Sequence, residues 1–352
     1  MTTIVDVARS AGVSIGTVSR VLSGSSHPVS QETRVKVMEA AAELNYSPSA
    51  LARAMITQDT HIIGIIVGDN EDPFFAALVR GAEDVARSMG FLVIICNSDR
   101  QPDIELKYIQ TLNDYRVDGI VFTGGGITDP EYTVRLSRLL DILRRRRCAI
   151  VSLGRQAFPC VEVSADSVRA VADAVSHLVS LGHERVCYIS GPGNITTTAL
   201  RLEGYRQGLH EHALPFDPSL VLPGDYTLEA GYAAARHIVA LKRRPTAVLA
   251  STDQMAIGCA IQLKSSGVSV PGDISVMGID DVKTAHCLDP PLTTVSLNMY
   301  EMGAMGIRHL VKWRNGEIDD TFHHTIRHQL VVRQSTGPVG MNRSLSATKG
   351  DL

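Results

Sequence analysis

Two periodicities divide the chain. From Thr3 to Asn45, apolar residues recur at three- and four-residue intervals in three short blocks, each preceded by a small polar residue. Thr3-x-x-Asp6 has the form of a capping box and predicts a first helix ending near Ala11-Gly12. Ser14 can cap a second helix that carries Val18, Val21 and Leu22 on one face and stops at Gly24. Ser30 can cap a third, with Val35, Met38 and Ala42 sharing a face, running to Asn45. Ser47-Pro48 then gives a strong start signal for a helix reaching only to Met55. A helix of two turns is marginal alone in water, so this segment is expected to order only on a template.

From residue 61 the pattern changes. Ile62–Val67 is an apolar, β-branched run without alternation, as expected of a strand buried on both faces of a parallel sheet. A helical period follows over about 74–89, then apolar runs at Phe91–Cys96 and, after another helix, at Gly119–Thr123. The cycle repeats with helices near 168–181, 198–211 and 254–266 and strands at Val186–Ser190, Ala247–Ser251 and Ile274–Gly278. "ARSMGFLVIIC" and "VSLGHERVCYIS" fill the same helix-Gly-strand slot in the two halves. The fold class expected is therefore multidomain: an all-α headpiece followed by a two-lobed α/β core. A ligand cleft is expected where the strand ends of the lobes face each other. The polar, aperiodic end from residue 334 to 352 reads as a flexible tail and contains no leucine heptad.

Composition adds little. Over 352 residues, 44% hydrophobic and 20% charged content is ordinary for a globular protein. The apolar runs are too short for a membrane helix, and MTTIVDVARS lacks a secretory signal's layout, so a cytoplasmic location is expected. Six cysteines without C-x-x-C spacing read as reduced thiols, most of them in apolar runs. No H-E-x-x-H is present, and His323-His324 at strand spacing would face opposite ways, so no metal or cofactor is expected. The net charge of −3 gives no sign of a nucleic-acid binder; residues 1–58 carry five arginines and lysines against four carboxylates.

Gly12-Val13-Ser14-Ile15-Gly16 matches the G-x-S-x-G nucleophile elbow formally. An elbow needs a buried strand before the serine, however, and here a helix precedes it. Ser14 is better used as a cap. Helix, short glycine-containing turn, helix is the DNA-binding arrangement. On a helical wheel Gly16 and Arg20 lie opposite Val18, Val21 and Leu22, with Ser19 beside them. Arg20 can bond a guanine edge bidentately; Ile15, at the border, suits a thymine methyl or the core equally.

"IVDVARSAGVSIGTVSRVLSG", "VSQETRVKVMEAAAELNYSPSALARAM", "RLEGYRQGL" and "TDQMAIGCAIQLKSSGVSVPGDISVMGIDD" together resemble the lac repressor (LacI/GalR) family of bacterial transcription regulators over residues 3 to about 333. The resemblance implies a headpiece (1–46), a hinge helix (47–58) and an effector-binding, dimerising core (59–333) like that of periplasmic sugar-binding proteins. The N-lobe would take about 60–162 and 295–325, the C-lobe about 163–292 and 326–333. It places Ser14, Ile15, Gly16, Thr17, Ser19, Arg20 and Ser30 at operator DNA. Gly16 is a departure, having no side chain to read a base. Ala52, Arg53 and Met55 fall on the hinge helix; Met55, where a leucine is usual, would wedge into the central base step or pack on the core.

For the effector, the resemblance places Phe74, Phe75 and Tyr226 as aromatic walls, and Arg201 with Asp280 as a charged pair for ligand hydroxyls or ring nitrogens. Thr197 offers a hydroxyl. Thr252 stands where asparagine is common, which removes an amide that often contacts sugar hydroxyls, and Ile195 where purine-responsive members carry arginine, which argues against a purine; a neutral sugar or related polyol is expected. The partners implied are a near-palindromic operator duplex, a small effector and a second copy of the chain, in the cytoplasm at the nucleoid, with no membrane. The missing heptad speaks against tetramers. Gly124-Gly125-Gly126 lacks the Lys-Ser/Thr of a P-loop and reads as a cleft-side loop, and Arg144–Arg147 as a solvated helix end. A transport-type binding protein would have no use for residues 1–58, and no motif supplies an enzyme's nucleophile and base. A non-enzymatic repressor is the expectation.

Overall fold

The structure, a computed structural model, describes residues 2–22, 27–46 and 59–340. It divides into two compact units, the headpiece and the core.

The headpiece contains helices α1 (Ile4–Ala11), α2 (Ile15–Leu22) and α3 (Gln31–Glu43). Each start is chemically marked. The Asp6 carboxylate accepts from the Thr3 amide at 2.9 Å, Ser14 Oγ from the Thr17 amide at 3.1 Å and Ser30 Oγ from the Thr33 amide at 3.2 Å. Gly12, at φ 65°, turns the chain out of α1 in the left-handed region that glycine adopts without penalty. Val7, Ala8, Val18, Val21, Val37, Ala40 and Ala41 form the core. The expected inner face of α3 needs correction: Val35, Met38 and Ala42 point to solvent, and Val37, Ala40 and Ala41 point inward. Three alanines in a row left the rotation of that helix open, and the small inner face lets α3 approach α1 and α2 closely. The expected hinge helix, with Ala52, Arg53 and Met55, lies outside the described residues.

In the core, a six-stranded parallel sheet has the order β11-β5-β4-β3-β1-β2. Its strands are β1 (Ile62–Val67), β2 (Leu92–Asn97), β3 (Gly119–Thr123), β4 (Ala149–Leu153), β5 (Val161–Ala165) and β11 (His323–Ile326). The helices between them are α4 (Pro73–Ser88), α5 (Pro102–Asp114) and α6 (Pro130–Arg145); α11 (Met299–Arg314) packs on α4 and on the sheet. A four-stranded parallel sheet, order β7-β6-β8-β9, builds the second lobe from β6 (Val186–Ile189), β7 (Val221–Leu222), β8 (Ala247–Ala250) and β9 (Ser275–Met277). It is flanked by α7 (Ser167–Ser180), α8 (Thr196–Glu211), α9 (Leu228–Ala240) and α10 (Asp253–Ser265). An antiparallel ribbon of β10 (Thr294–Ser296) and β12 (Gln329–Val331) lies on two of the three chain crossings between the lobes.

Three expectations for the core change. The first crossing follows Ala165, a little beyond the expected bound of about 162, because β5 pairs with β4 at Val161 and Glu162 and stays paired with β11 from Glu162 to Ala165. Residues 334–340 are not a loose tail. Ser335 is fully buried and donates to Val276 O at 2.6 Å, its backbone carbonyl accepts from the Val276 amide, and the Gly337 amide donates to Ser275 Oγ. Ser335 is polar because its hydroxyl pairs with backbone, donating to Val276 O and accepting from the Thr293 amide, which composition alone does not reveal; residues 341–352 lie outside the described residues. Arg144 and Arg146 are also more than solvated charges, since Arg144 binds Asp320 and the Pro159 carbonyl, and Arg146 the Asn113 carbonyl. Five cysteines are buried; Cys287 is exposed. Among the described residues no helix is long and apolar enough to cross a membrane.

Candidate functional site

Parallel strands ending at the interface between the lobes put their following loops there, and these loops line a cavity of about 730 Å³, part of it open to solvent. Phe74, Phe75, Thr197, Arg201, Tyr226, Thr252 and Asp280, all seven residues expected at an effector, lie on its wall. Phe74 and Phe75 start α4, which Asp72 caps by accepting from the Phe74 amide at 3.0 Å, and their rings meet edge to face at 5.1 Å. Tyr226 faces them from the other lobe. Its hydroxyl is 2.7 Å from Thr198 Oγ1, and its ring fills the space where a side chain at Gly191 would stand.

Arg201 and Asp280 are both buried. A guanidinium nitrogen donates to Asp280 Oδ1 at 3.0 Å, and another to the Ser251 carbonyl. Burial pushes the Asp280 carboxyl up to about 7, while Arg201 pulls it down and Asp72 adds to the rise. Asp280 sits at φ 118°, a region that disfavours side-chain-bearing residues. The loop is held there by Asp253, whose carboxylate accepts from Thr294 Oγ1 and from the Val282 amide at 2.9 Å. Thr252 Oγ1 accepts from the Met255 amide and caps α10, so its hydroxyl serves the helix as well as the wall.

Among the wall residues that sequence reasoning missed are Asp72, Ser98, Arg100, Glu105 and Gln156. The Arg100 guanidinium lies 5.5 Å from the ring centres of both Phe75 and Tyr226, one from each lobe, and pairs with Asp72 at 3.6 Å and Asp69 at 3.9 Å. Its place in the loop after β2 was a usable signal, because ligand contacts in parallel sheets come from such loops. Glu105, in the first turn of α5, accepts a short hydrogen bond from the Tyr132 hydroxyl, and nothing in its local sequence marked it.

Above the cavity the lobes are joined by a clasp. Ile127 and Ile195 form an antiparallel bridge; the Thr196 amide donates to Gly126 O at 2.9 Å and the Thr128 amide to Asn194 O at 2.8 Å. Thr196 Oγ1 accepts from the Gly126 amide and donates to the Arg155 carbonyl. The middle glycine is thereby explained: a β-carbon at Gly125 would stand 2.4 Å from Thr197 Oγ1 and 2.8 Å from the Thr197 amide nitrogen.

On the headpiece, Ser14, Ile15, Gly16, Arg20 and Ser30 are exposed and Thr17 and Ser19 half-buried, so α2 turns Ile15, Gly16 and Arg20 away from Val18 and Val21. Ile15, 48% exposed, stands clear of the core.

Residues 60–334 match the family described as periplasmic binding proteins and sugar binding domain of LacI family, and residues 3–49 match bacterial regulatory proteins, lacI family. The chain is 34% identical to catabolite control protein A of Priestia megaterium over 337 residues, 95% of this chain and 99% of that protein. Among solved structures it is similar to the lac repressor dimer bound to operator and the anti-inducer ONPF, with a TM-score of 0.85 and 27% identity over 96% of this chain and 99% of that one. It is also similar to a transcriptional regulator CelR–cellobiose complex, with a TM-score of 0.71 and 30% identity over 95% and 100%.

Proposed function

The chain belongs to the lacI family of bacterial regulatory proteins, a family of DNA-binding transcriptional regulators, and we propose that it is a homodimeric repressor controlled by a small sugar or sugar-like effector held between its lobes. The observation that carries the effector reading is the convergence of seven residues, far apart in sequence, on one cavity between the two sheets. Aromatic walls with a few fixed polar groups suit a ring bearing hydroxyls. Ile15 and Arg20, with backbone at Gly16 and caps at Ser14 and Ser30, face operator bases and phosphates; Thr17 and Ser19 flank them. Ala52, Arg53 and Met55 act at the centre of the operator, Met55 as the wedge. Only five cations stand in residues 1–58, so affinity rests on both half-sites and on helix N-termini as well as on phosphate neutralisation, and is salt-sensitive.

Dimerisation is supported by β2, an edge strand of the six-stranded sheet whose Leu92 and Ile95 are 62% and 50% exposed. The ligand changes the relation of the lobes and, through residues 47–58, the spacing of two headpieces in a cytoplasmic, nucleoid-bound dimer. The cleft is a binding site and not a catalytic one. Gel-shift titration of an operator fragment with and without candidate sugars tests the reading. A ligand that shifts operator affinity tenfold or more and is recovered chemically unchanged supports it; effector-insensitive binding, or a converted ligand, refutes it.

A further inference from the structure

The charges on the cavity wall carry information about the ligand beyond its size. Two guanidiniums and three carboxylates face it: Arg100 and Arg201 against Asp72, Glu105 and Asp280. Both cations are already paired with carboxylates of the protein. Arg201 is bound to Asp280 and to the Ser251 carbonyl, and its Nε–H has no accessible surface. Arg100 lies between two aromatic rings with Asp72 and Asp69 at its nitrogens. Glu105 differs from the other two acids. Among the described residues no arginine or lysine stands within ion-pair distance of it; it accepts from the Tyr132 hydroxyl at Oε1, and burial pushes its carboxyl upward. A carboxylate offers about four acceptor positions, so one hydroxyl leaves capacity for a donor in the cavity.

We infer that the effector carries no phosphate or other anion and presents a hydrogen-bond donor to Glu105, with an amine-bearing sugar as the preferred class. This rests on the effector reading above. A phosphorylated sugar entering this wall would lose its hydration and meet only guanidiniums already paired with carboxylates, beside the acceptor oxygens of Glu105. A ring amine supplies the missing counter-charge to Glu105, and the apolar patch of Phe74, Phe122 and Ile195 accepts the ring face. The roughly tenfold to hundredfold value of a hydrogen bond to a charged group sets the size of the preference.

The test is calorimetric titration of the full-length protein with matched trios: glucose, glucosamine and glucose 6-phosphate; galactose, galactosamine and galactose 6-phosphate; ribose, 2-amino-2-deoxyribose and ribose 5-phosphate. In the trio that binds, the amine is expected to bind at least tenfold tighter than its parent, and the phosphate at least a hundredfold more weakly. Glu105→Gln keeps an acceptor for Tyr132 and is expected to cut the amine-to-parent ratio to threefold or less. Tyr132→Phe, which frees one acceptor position, keeps the ratio above tenfold and shows that the ratio follows the charge and not the neighbouring packing. A phosphate that outbinds its parent, or a ratio unchanged in Glu105→Gln, overturns the inference while leaving the effector reading in place. Failure of all nine compounds to bind overturns the sugar-like effector itself, and this inference with it.

Discussion

Gly125→Ala tests the clasp that closes the cleft. The added methyl would lie 2.4 Å from Thr197 Oγ1, 2.8 Å from Thr196 Oγ1 and 2.8 Å from the Thr197 amide nitrogen. The Thr197 side chain can rotate away. The amide cannot, because it belongs to the first turn of α8, and Thr196 Oγ1 is already fixed between the Gly126 amide and the Arg155 carbonyl. The strain is relieved by parting the lobes by roughly half an ångström, and overpacking of this kind costs about 1–3 kcal/mol. At 1.4 kcal/mol per factor of ten, the open state gains about 5- to 150-fold in population. The amides of Thr196 and Thr128, which donate across the clasp, report this directly by hydrogen exchange. Their exchange is expected to accelerate by that factor. Gly193→Ala, in the adjoining loop with nothing within 4 Å of the new methyl, is the control and should change neither rate. Equal rates in Gly125→Ala and the parent protein would refute the argument that the glycine exists for close approach.

His309 makes the fold acid-sensitive. It is 2% exposed, neither ring nitrogen has a hydrogen-bond partner among the described residues, and its ring lies 5.0 Å from that of His324. Burial, with His324 and Lys312 adding, pushes it from 6.5 to about 4. Because the folded value is the lower one, this contribution is complete above pH 6.5 and is lost as pH falls toward 4, about 3 kcal/mol in all. Denaturant titrations should show His309→Leu reducing the pH dependence over that window, and a parallel pH profile in the variant would contradict it. Ile95→Lys places a charge on the exposed edge of β2 and is expected to shift sedimentation from dimer to monomer; an unchanged dimer would move the interface elsewhere. Arg20→Ala is expected to cost about 1–3 kcal/mol in operator affinity and to relax specificity at one base pair per half-site, read by competition with singly substituted operators. A uniform loss across all substituted operators would make Arg20 a phosphate contact only.

What the sequence made legible follows from the kind of signal involved. The β-branched run Ile62–Val67 became β1 with the bounds expected, because burial on both faces of a parallel sheet leaves no other pattern. The caps at Thr3, Ser14 and Ser30 were readable because capping chemistry is local. The face of α3 was not, since Ala40, Ala41 and Ala42 fit either side of a helix and only packing against α1 and α2 decides. Wall residues on the recognised motifs were found together, whereas Glu105 and Arg100 escaped because their roles depend on Tyr132, Phe75 and Tyr226, all distant in sequence. Ser335 looked like part of a polar tail because its partners, Val276 and Thr293, lie on the other side of a crossing.

The central claim is a dimeric reader of palindromic DNA under small-molecule control. Selection from a randomised duplex library by the full-length protein, at moderate salt, with and without the sugar and amino-sugar panel, tests it most directly. The account predicts enrichment of a near-palindrome with a flexible step at its centre, in amounts that change when the cleft ligand is added. Enrichment of no sequence under any of these conditions, or of a single asymmetric site indifferent to every ligand, would contradict it.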